Sequence, residues 1–447
     1  MLIHPIDFRY GTVEMKTVWS EKNRLSCIIQ AETALSHALG AAGLIPEEDA
    51  AVIREKAGTV STERIKEIDA EISHEVMAVV TALSEVCGDA GRFVHFGATS
   101  NDILDTATGL QIKQAASVLE NKLYSLLSVL LKQAKATRNL VCIGRTHGQH
   151  ALPLTYGLRF AVWASEISRH IERLHELLPR TAVGKLTGAV GTFASLGQAG
   201  PAVQQEMMRY LGLGTVDVST QVISRDRYAE YIFFLANCAT TLEKIAVEIR
   251  SLQRTEIGEV FEPFGKHQVG SSTMPHKRNP VKCEQVCGLA RIIRSMVEPA
   301  LLNNTLWDER DLTNSAAERI TFPEASVLTD HCLKIMTGVL ENLTIDETAV
   351  ARNVTLLQGV NLAESVMLEL TRRGLSRQTA HERIRLASMQ ALAENRPLAA
   401  VLQEDAEIMQ LITADELSAL LDAKAYIGLA GEQVDLLCEK LPVLPHQ

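Results

Sequence analysis

The sequence predicts an all-α protein in three parts with long helices bundled at its centre, and three observations predict it. Apolar residues recur at helical spacing over runs of about twenty to thirty residues. The hydrophobic fraction is 46% while aromatics are only 4%, so the core must be built from Ala, Leu, Ile and Val, which pack readily between helices. No stretch alternates apolar and polar residues between turn signals as a large sheet requires.

In chain order, residues 1–107 read as shorter helices punctuated by Gly43-Leu44-Ile45-Pro46 and Gly88-Asp89-Ala90-Gly91. Residues 108–345 hold the long ones. The first runs from Leu110 to about Leu140, with Leu119, Leu123, Leu126, Leu127, Leu130 and Leu131 in step and no Gly or Pro. A second spans Leu158 to Leu178, with Ala161, Ala164, Ile167, Ile171 and Leu174 in register. A third covers about Tyr228 to Ile257, and a fourth starts just after Pro280 and continues towards Met296. Such lengths exceed the ordinary globular helix and point to a bundle. Residues 346–447 return to short helices with clear starts at Ser376 and at Thr413-Ala414-Asp415-Glu416. No repeat or low-complexity segment interrupts the chain.

Formal net charge is 44 − 54 = −10, with no basic tract long enough to follow a phosphate backbone, so nucleic acid is not an expected partner. A few Arg and Lys in one pocket could still hold a small anion. The first residues lack the basic and apolar regions of a secretory signal, and the most apolar stretches are broken by charge short of a membrane span. The eight Cys are scattered, which fits reduced thiols in a cytoplasmic protein. No Walker loop, dinucleotide fingerprint or HExxH motif is present, and no cofactor or metal is expected.

Three polar segments interrupt the helical pattern. Gly270-Ser271-Ser272-Thr273-Met274-Pro275-His276-Lys277-Arg278-Asn279-Pro280 is rich in turn formers and adds a cation and an amide. It reads either as a ligand loop feeding a helix N-terminus, a natural site for a carboxylate or phosphate, or as an ordinary interhelical loop. Gly144-Arg145-Thr146-His147-Gly148-Gln149-His150 carries two His three apart, but no third ligand is spaced for metal. Acid–base work by a His and a purely structural turn both remain open there. Arg92 to Asp102 could bind an anion through its hydroxyls and amide, or simply cap the first long helix through Ser100, Asn101 or Asp102. His74 lies in a helical pattern, where a lone His is usually a partly buried polar residue. Ser315 and Arg319 stand four apart on one helical face, which fits a phosphate clamp or an exposed salt-bridge face.

Together these segments resemble the fumarase/aspartase superfamily. Gly270 to Pro280 looks like its signature loop, and Thr146-His147 and Thr99-Ser100-Asn101-Asp102 resemble its two other shared regions, in the expected order. Arg9-Tyr10-Gly11-Thr12-Val13-Glu14-Met15, Val18-Trp19-Ser20-Glu21 and Glu309-Arg310-Asp311 with Ser315 to Ile320 are similar to the adenylosuccinate lyase family within it. That family often has Arg-His-Asp where this chain has Ser73-His74-Glu75, and His where Asp308 stands.

The resemblance implies a homotetramer with a central helical bundle, with active sites assembled from three subunits. It implies elimination of fumarate from adenylosuccinate, and from the succinyl-carboxamide ribotide. Ser271 would be the base, its alkoxide stabilised by Lys277 and loop N–H groups, and His147 the general acid with Glu284 as its carboxylate partner. His74 would be a second acid or a substrate contact. Thr99, Ser100, Thr146, Lys277 and Asn279 would grip the succinyl carboxylates, and Arg9, Tyr10, Ser315 and Arg319 the phosphate. Ser73 and Asp102 complete the expected substrate contacts. Argininosuccinate lyase and carboxymuconate cycloisomerase are rival enzymes on this scaffold, and a non-catalytic helical scaffold is the rival of another class.

Overall fold

The computed structural model describes residues 4–265, 273–274 and 276–441. It is 70% helical with little strand. The long helices are Ser100–Ala136, Tyr156–Thr181, Asp226–Leu252, Val281–Ser295 and Thr313–Glu341. The first four match the periodic runs in the sequence. The fifth was read only as one helical face around Ser315 and Arg319, because Pro323 sits inside it and proline normally ends a helix. Residues 1–107 also hold one long helix, Glu21–Ala41, where only shorter ones were expected.

The chain forms two compact units. The first takes Met1–Leu123, Arg169–Glu243 and Val286–Lys334; the second takes Tyr124–Ser168, Lys244–Gln285 and Ile335–Gln447. The divisions between them fall inside the five long helices. In the first unit, Leu25, Ile28, Leu35 and Leu39 of the Glu21 helix are buried with Ile103, Leu110, Met207 and Met208 in one core. This is the stripe a helix must hide to stay folded in water. In the second, Val366, Leu370, Ile384, Leu398, Leu402 and Leu417 form the core of the short C-terminal helices. The two expected starts are capped there. Ser376 accepts from the Thr379 N–H, and Thr413 with Glu416 forms a capping box.

The strands are few and short. Val141–Thr146 pairs antiparallel with Gln149–Thr155, a hairpin where the sequence pattern shows only a turn.

Candidate active site

In the first unit the candidate residues meet where the Ser100 helix begins. The Thr99 N–H donates to Oδ2 of Asp102 at 2.8 Å, closing half of a capping box. Asp102 was expected to touch substrate. Instead it is fully buried. Its carboxylate takes the ammonium of Lys185, also fully buried, and accepts from the N–H groups of Thr187 at 3.0 Å and Gly188 at 3.2 Å. Its acceptor sites are spent on holding loop 185–188 to the helix start. The neighbour that faces a ligand space is Asn101. It is 4% exposed, its Oδ1 has no hydrogen-bond partner among the described residues, and it lines a cavity of about 320 Å³.

His74 sits between two helices. Ser73 adopts a left-handed conformation (φ 53°) that ends Thr62–Ile72, and His74 caps Glu75–Cys87 by accepting the Met77 N–H on Nδ1 at 3.3 Å. That bond uses Nδ1 as an acceptor and leaves Nε2 as the nitrogen to act on a ligand. His74 lines a second cavity, of about 400 Å³, with Ser100, Arg310, Ser315 and Arg319. Glu75, Leu104, Arg310, Ser315 and Arg319 line both cavities. Ser73 and Thr99 line neither.

Arg310 precedes the Thr313 helix and shares no helical period with Ser315, so spacing alone does not single it out. Its guanidinium donates to Oε1 of Gln221 at 2.7 Å, and burial lowers its pKa. Beneath the cavities, buried Arg225 makes a two-pronged bond to Asp105 (2.9 Å each) and a third to Glu318 (2.9 Å). Burial raises the Glu318 carboxyl against the pull of Arg225. This triad ties the Ser100 helix to the Thr313 helix, fixing Asn101 against Ser315 and Arg319. Breaking one member of such a buried set typically costs ~3–5 kcal/mol.

Arg9 and Tyr10 are not brought to this clamp. Arg9 is exposed, and the Tyr10 ring lies 5.3 Å from that of His331. His331 is sixteen residues beyond Ser315 on one helix, about 24 Å at 1.5 Å per residue.

In the second unit, His147 and Gly148 form the two-residue tip of the hairpin, both at positive φ (52° and 75°). This is the turn whose twist suits a hairpin. Gly144 lies at the bulge of the first strand, where a Cβ would come within 2.7 Å of the Leu152 carbonyl oxygen. The strand is anchored by fully buried Glu259. It accepts from Arg145 at 2.5 Å, from the Tyr156 hydroxyl at 2.5 Å and from Asn353 at 2.8 Å. Burial opposes its charge, but these three donors prevail and hold its carboxyl below the usual range. Thr146 and His147 themselves are exposed.

Ser271 lies outside the described residues, as do Gly270, Ser272 and Pro275. Lys277 is exposed and Asn279 partly buried. The N-terminus of the Val281 helix, expected to be open to an anion, is already taken. Glu262 accepts the N–H groups of Lys282 at 3.1 Å and Cys283 at 2.6 Å. Gln253 bonds both the Glu262 N–H and the Arg278 carbonyl, so this end of the loop is tethered. Glu284 is exposed in the first turn of that helix. Among the described residues, it and His147 make no hydrogen bond to each other within the chain.

The candidate residues therefore fall into two groups: a pair of cavities lined by arginines and carboxylates in one unit, and an exposed His, Lys and Glu in the other. Comparison with known proteins names the chemistry. A lyase family model matches residues 8–294, and a model described as adenylosuccinate lyase C-terminus matches residues 359–437. The adenylosuccinate lyase of Pyrococcus abyssi is 53% identical over 97% of each chain. That of Methanocaldococcus jannaschii is 51% identical over 99% of this chain and 96% of its own. Among solved structures, a fumarate lyase from Mesorhizobium sp. BNC1 superposes with a TM-score of 0.88, at 33% identity over 96% of this chain and 98% of that one. A 3-carboxy-cis,cis-muconate lactonizing enzyme from Pseudomonas putida gives 0.87, at 32% identity over 97% and 98%. With half its residues shared along almost its whole length, the chain belongs to the adenylosuccinate lyase family.

Proposed function

We propose that the chain eliminates fumarate from adenylosuccinate to leave AMP, and from the succinyl-carboxamide ribotide (SAICAR) to leave AICAR, in purine biosynthesis. The observation that carries this is the gathering of Ser100, His74, Arg310, Ser315 and Arg319 around one cavity at the N-terminal end of a 37-residue helix. A helix N-terminus and two guanidinium groups suit a substrate bearing a phosphate and two carboxylates. The shared sequence with adenylosuccinate lyases favours this substrate over the muconate and argininosuccinate alternatives.

In the reaction, Ser271 removes the proton beside a succinyl carboxylate, the electron pair moves to form the fumarate double bond, and the C–N bond breaks. His147, held in position by Glu284 of another copy, delivers a proton to the departing nitrogen. Lys277 and Asn279 stabilise the charge that builds on the carboxylate, and Thr99, Thr146 and Ser100 grip it. Within one chain Arg9 and Tyr10 lie away from this clamp, so we assign the pair that joins Ser315 and Arg319 at the phosphate to another copy. Ser73 adjoins His74 in the substrate contacts. No cofactor or metal enters these steps.

We assign a homotetramer in the cytoplasm, with sites shared between subunits. Exposed Phe233 and Ile320 on long helices of the first unit, with Leu301 and Leu302 at the end of the short Val297–Leu302 helix, support burial against other copies. Among the described residues no helix is long and apolar enough to cross a membrane. In chain order we divide the protein into an N-terminal part (1–107), the bundle (108–345) and a C-terminal part (346–447). Mixing the protein with adenylosuccinate and following its ultraviolet absorbance tests the proposal. Loss of the substrate signal with release of fumarate is expected, and an unchanged spectrum overturns the substrate.

A further inference from the structure

The cavity that we read as the phosphate site contains a carboxylate. Glu75 is bonded through both oxygens to one partner. Its Oε1 accepts from Nε of Arg24 at 3.1 Å and its Oε2 from Nη2 at 2.6 Å. The same Oε2 accepts a third, longer bond from Nη2 of Arg319 at 3.3 Å. All three side chains line the 320 Å³ cavity. Exposure separates them: the Arg24 and Glu75 side chains are 26% and 25% exposed, that of Arg319 61%. The two-pronged pair is therefore the anchored one, and Arg319 is the loosely held member.

We propose that Glu75 stands in for the substrate phosphate in the free protein, and that Arg24 is the positioning residue that keeps Glu75 from closing on Arg319. This rests on the phosphate reading of the cavity. A planar guanidinium matches a carboxylate through two parallel bonds, and a carboxylate has room for one such fork. While Arg24 holds that fork, Arg319 spends one long bond on Glu75. An arriving phosphate, with more charge and more acceptor oxygens, takes Arg319 by breaking that bond alone. Without Arg24, Glu75 is free to turn both oxygens onto Arg319 and compete with the phosphate. Glu75 thus gives Arg319 a resting position near the cavity, and Arg24 makes that position easy to leave.

A double-mutant cycle on the full-length protein separates this from a simple charge effect. The readout is the dissociation constant of AMP by calorimetry at low salt, with adenosine as the phosphate-free control. Arg24→Ala is expected to weaken AMP roughly fivefold, the factor a partly exposed ion pair carries, and to leave adenosine unchanged. Glu75→Gln alone is expected to tighten AMP. In the Glu75→Gln background, Arg24→Ala is expected to have little further effect. In turnover, the Arg24→Ala loss should fall on KM rather than kcat. If Arg24→Ala weakens AMP equally in both backgrounds, Arg24 is only a positive charge and the proposal fails. If Glu75→Gln loosens AMP, the stand-in role fails even where the Arg24 variant does not fold. If the wild-type protein binds AMP no more tightly than adenosine, the phosphate reading falls and takes this inference with it.

Discussion

At the start of the Ser100 helix, Asp102 is fully buried and its carboxylate is occupied by Lys185 and three backbone N–H groups. At the tip of the hairpin, His147 is exposed, and beyond the signature loop Glu284 is exposed too. The first region is finished within one chain. Its buried pairs fix a cavity lined by arginines and carboxylates before any ligand arrives. In the second region only the supports are finished. Glu259 fixes the hairpin strand and Glu262 fixes the start of the Val281 helix, while the groups assigned to chemistry protrude. General acid catalysis in water is weak, and such groups gain strength when a neighbour excludes solvent and orients them. The contrast teaches that the proposed binding end is finished within one chain. The exposed groups are the ones that, under the proposed shared site, another copy would complete.

The largest effect expected of any substitution is on the exposed side. His147→Gln removes a proton donor without touching Glu259 and should lower kcat ~10²–10⁴-fold while the melting temperature holds. An equal loss of stability would erase the distinction between the regions. On the buried side the effect inverts. Lys185→Met leaves Asp102 charged and unpaired in the interior, at a cost of ~3–5 kcal/mol, which denaturant titration should show as a lower midpoint. A variant as stable as wild type would mean that the helix start does not depend on this pair. Arg319→Ala lies between. It removes one charge-assisted contact, worth about 1.5–3 kcal/mol, and should raise KM for adenylosuccinate with little change in melting temperature.

The smallest effect is acid sensitivity from outside both regions. Burial, with Arg173 and Arg169 nearby, pushes His170 down to about 4. Between its ordinary value of about 6.5 and 4, the unfolded chain binds a proton that the native one refuses. Stability from this group is therefore present above that window and is lost as pH falls through it. His170→Gln, which can keep the bond to Thr241, should flatten the fall in melting temperature over this range. An unchanged slope would move the acid sensitivity elsewhere.

The sequence made the fold legible wherever one signal acted alone. Leu119 to Leu131 announce their helix because nothing opposes the period, and each of the six Leu in that run is buried. Pro323 masked the Thr313 helix because its local preference contradicts a context that tertiary packing overrides. The hairpin was missed because His147-Gly148 is not the usual Asn-Gly turn, and its strands are too short to show alternation. At the site, motif order drew attention to Thr99 through Asp102, but a motif does not say which side chain faces in. Asp102 and Asn101 are adjacent and both polar. Only the position of Lys185, eighty-three residues away in sequence, shows that the first is used for structure. Arg24 and Glu75 could not be paired in advance for the same reason, being fifty-one apart.

The most direct test of the central claim mixes two impaired proteins, His147→Gln and Arg319→Ala, at a substrate concentration far below the raised KM, where each alone turns over little, under conditions where subunits exchange. If the site takes its acid from one chain and its phosphate clamp from another, hybrids regain activity at roughly a quarter of the sites. If activity stays absent after exchange has been demonstrated, both groups serve the site from a single chain, contradicting a site shared between chains.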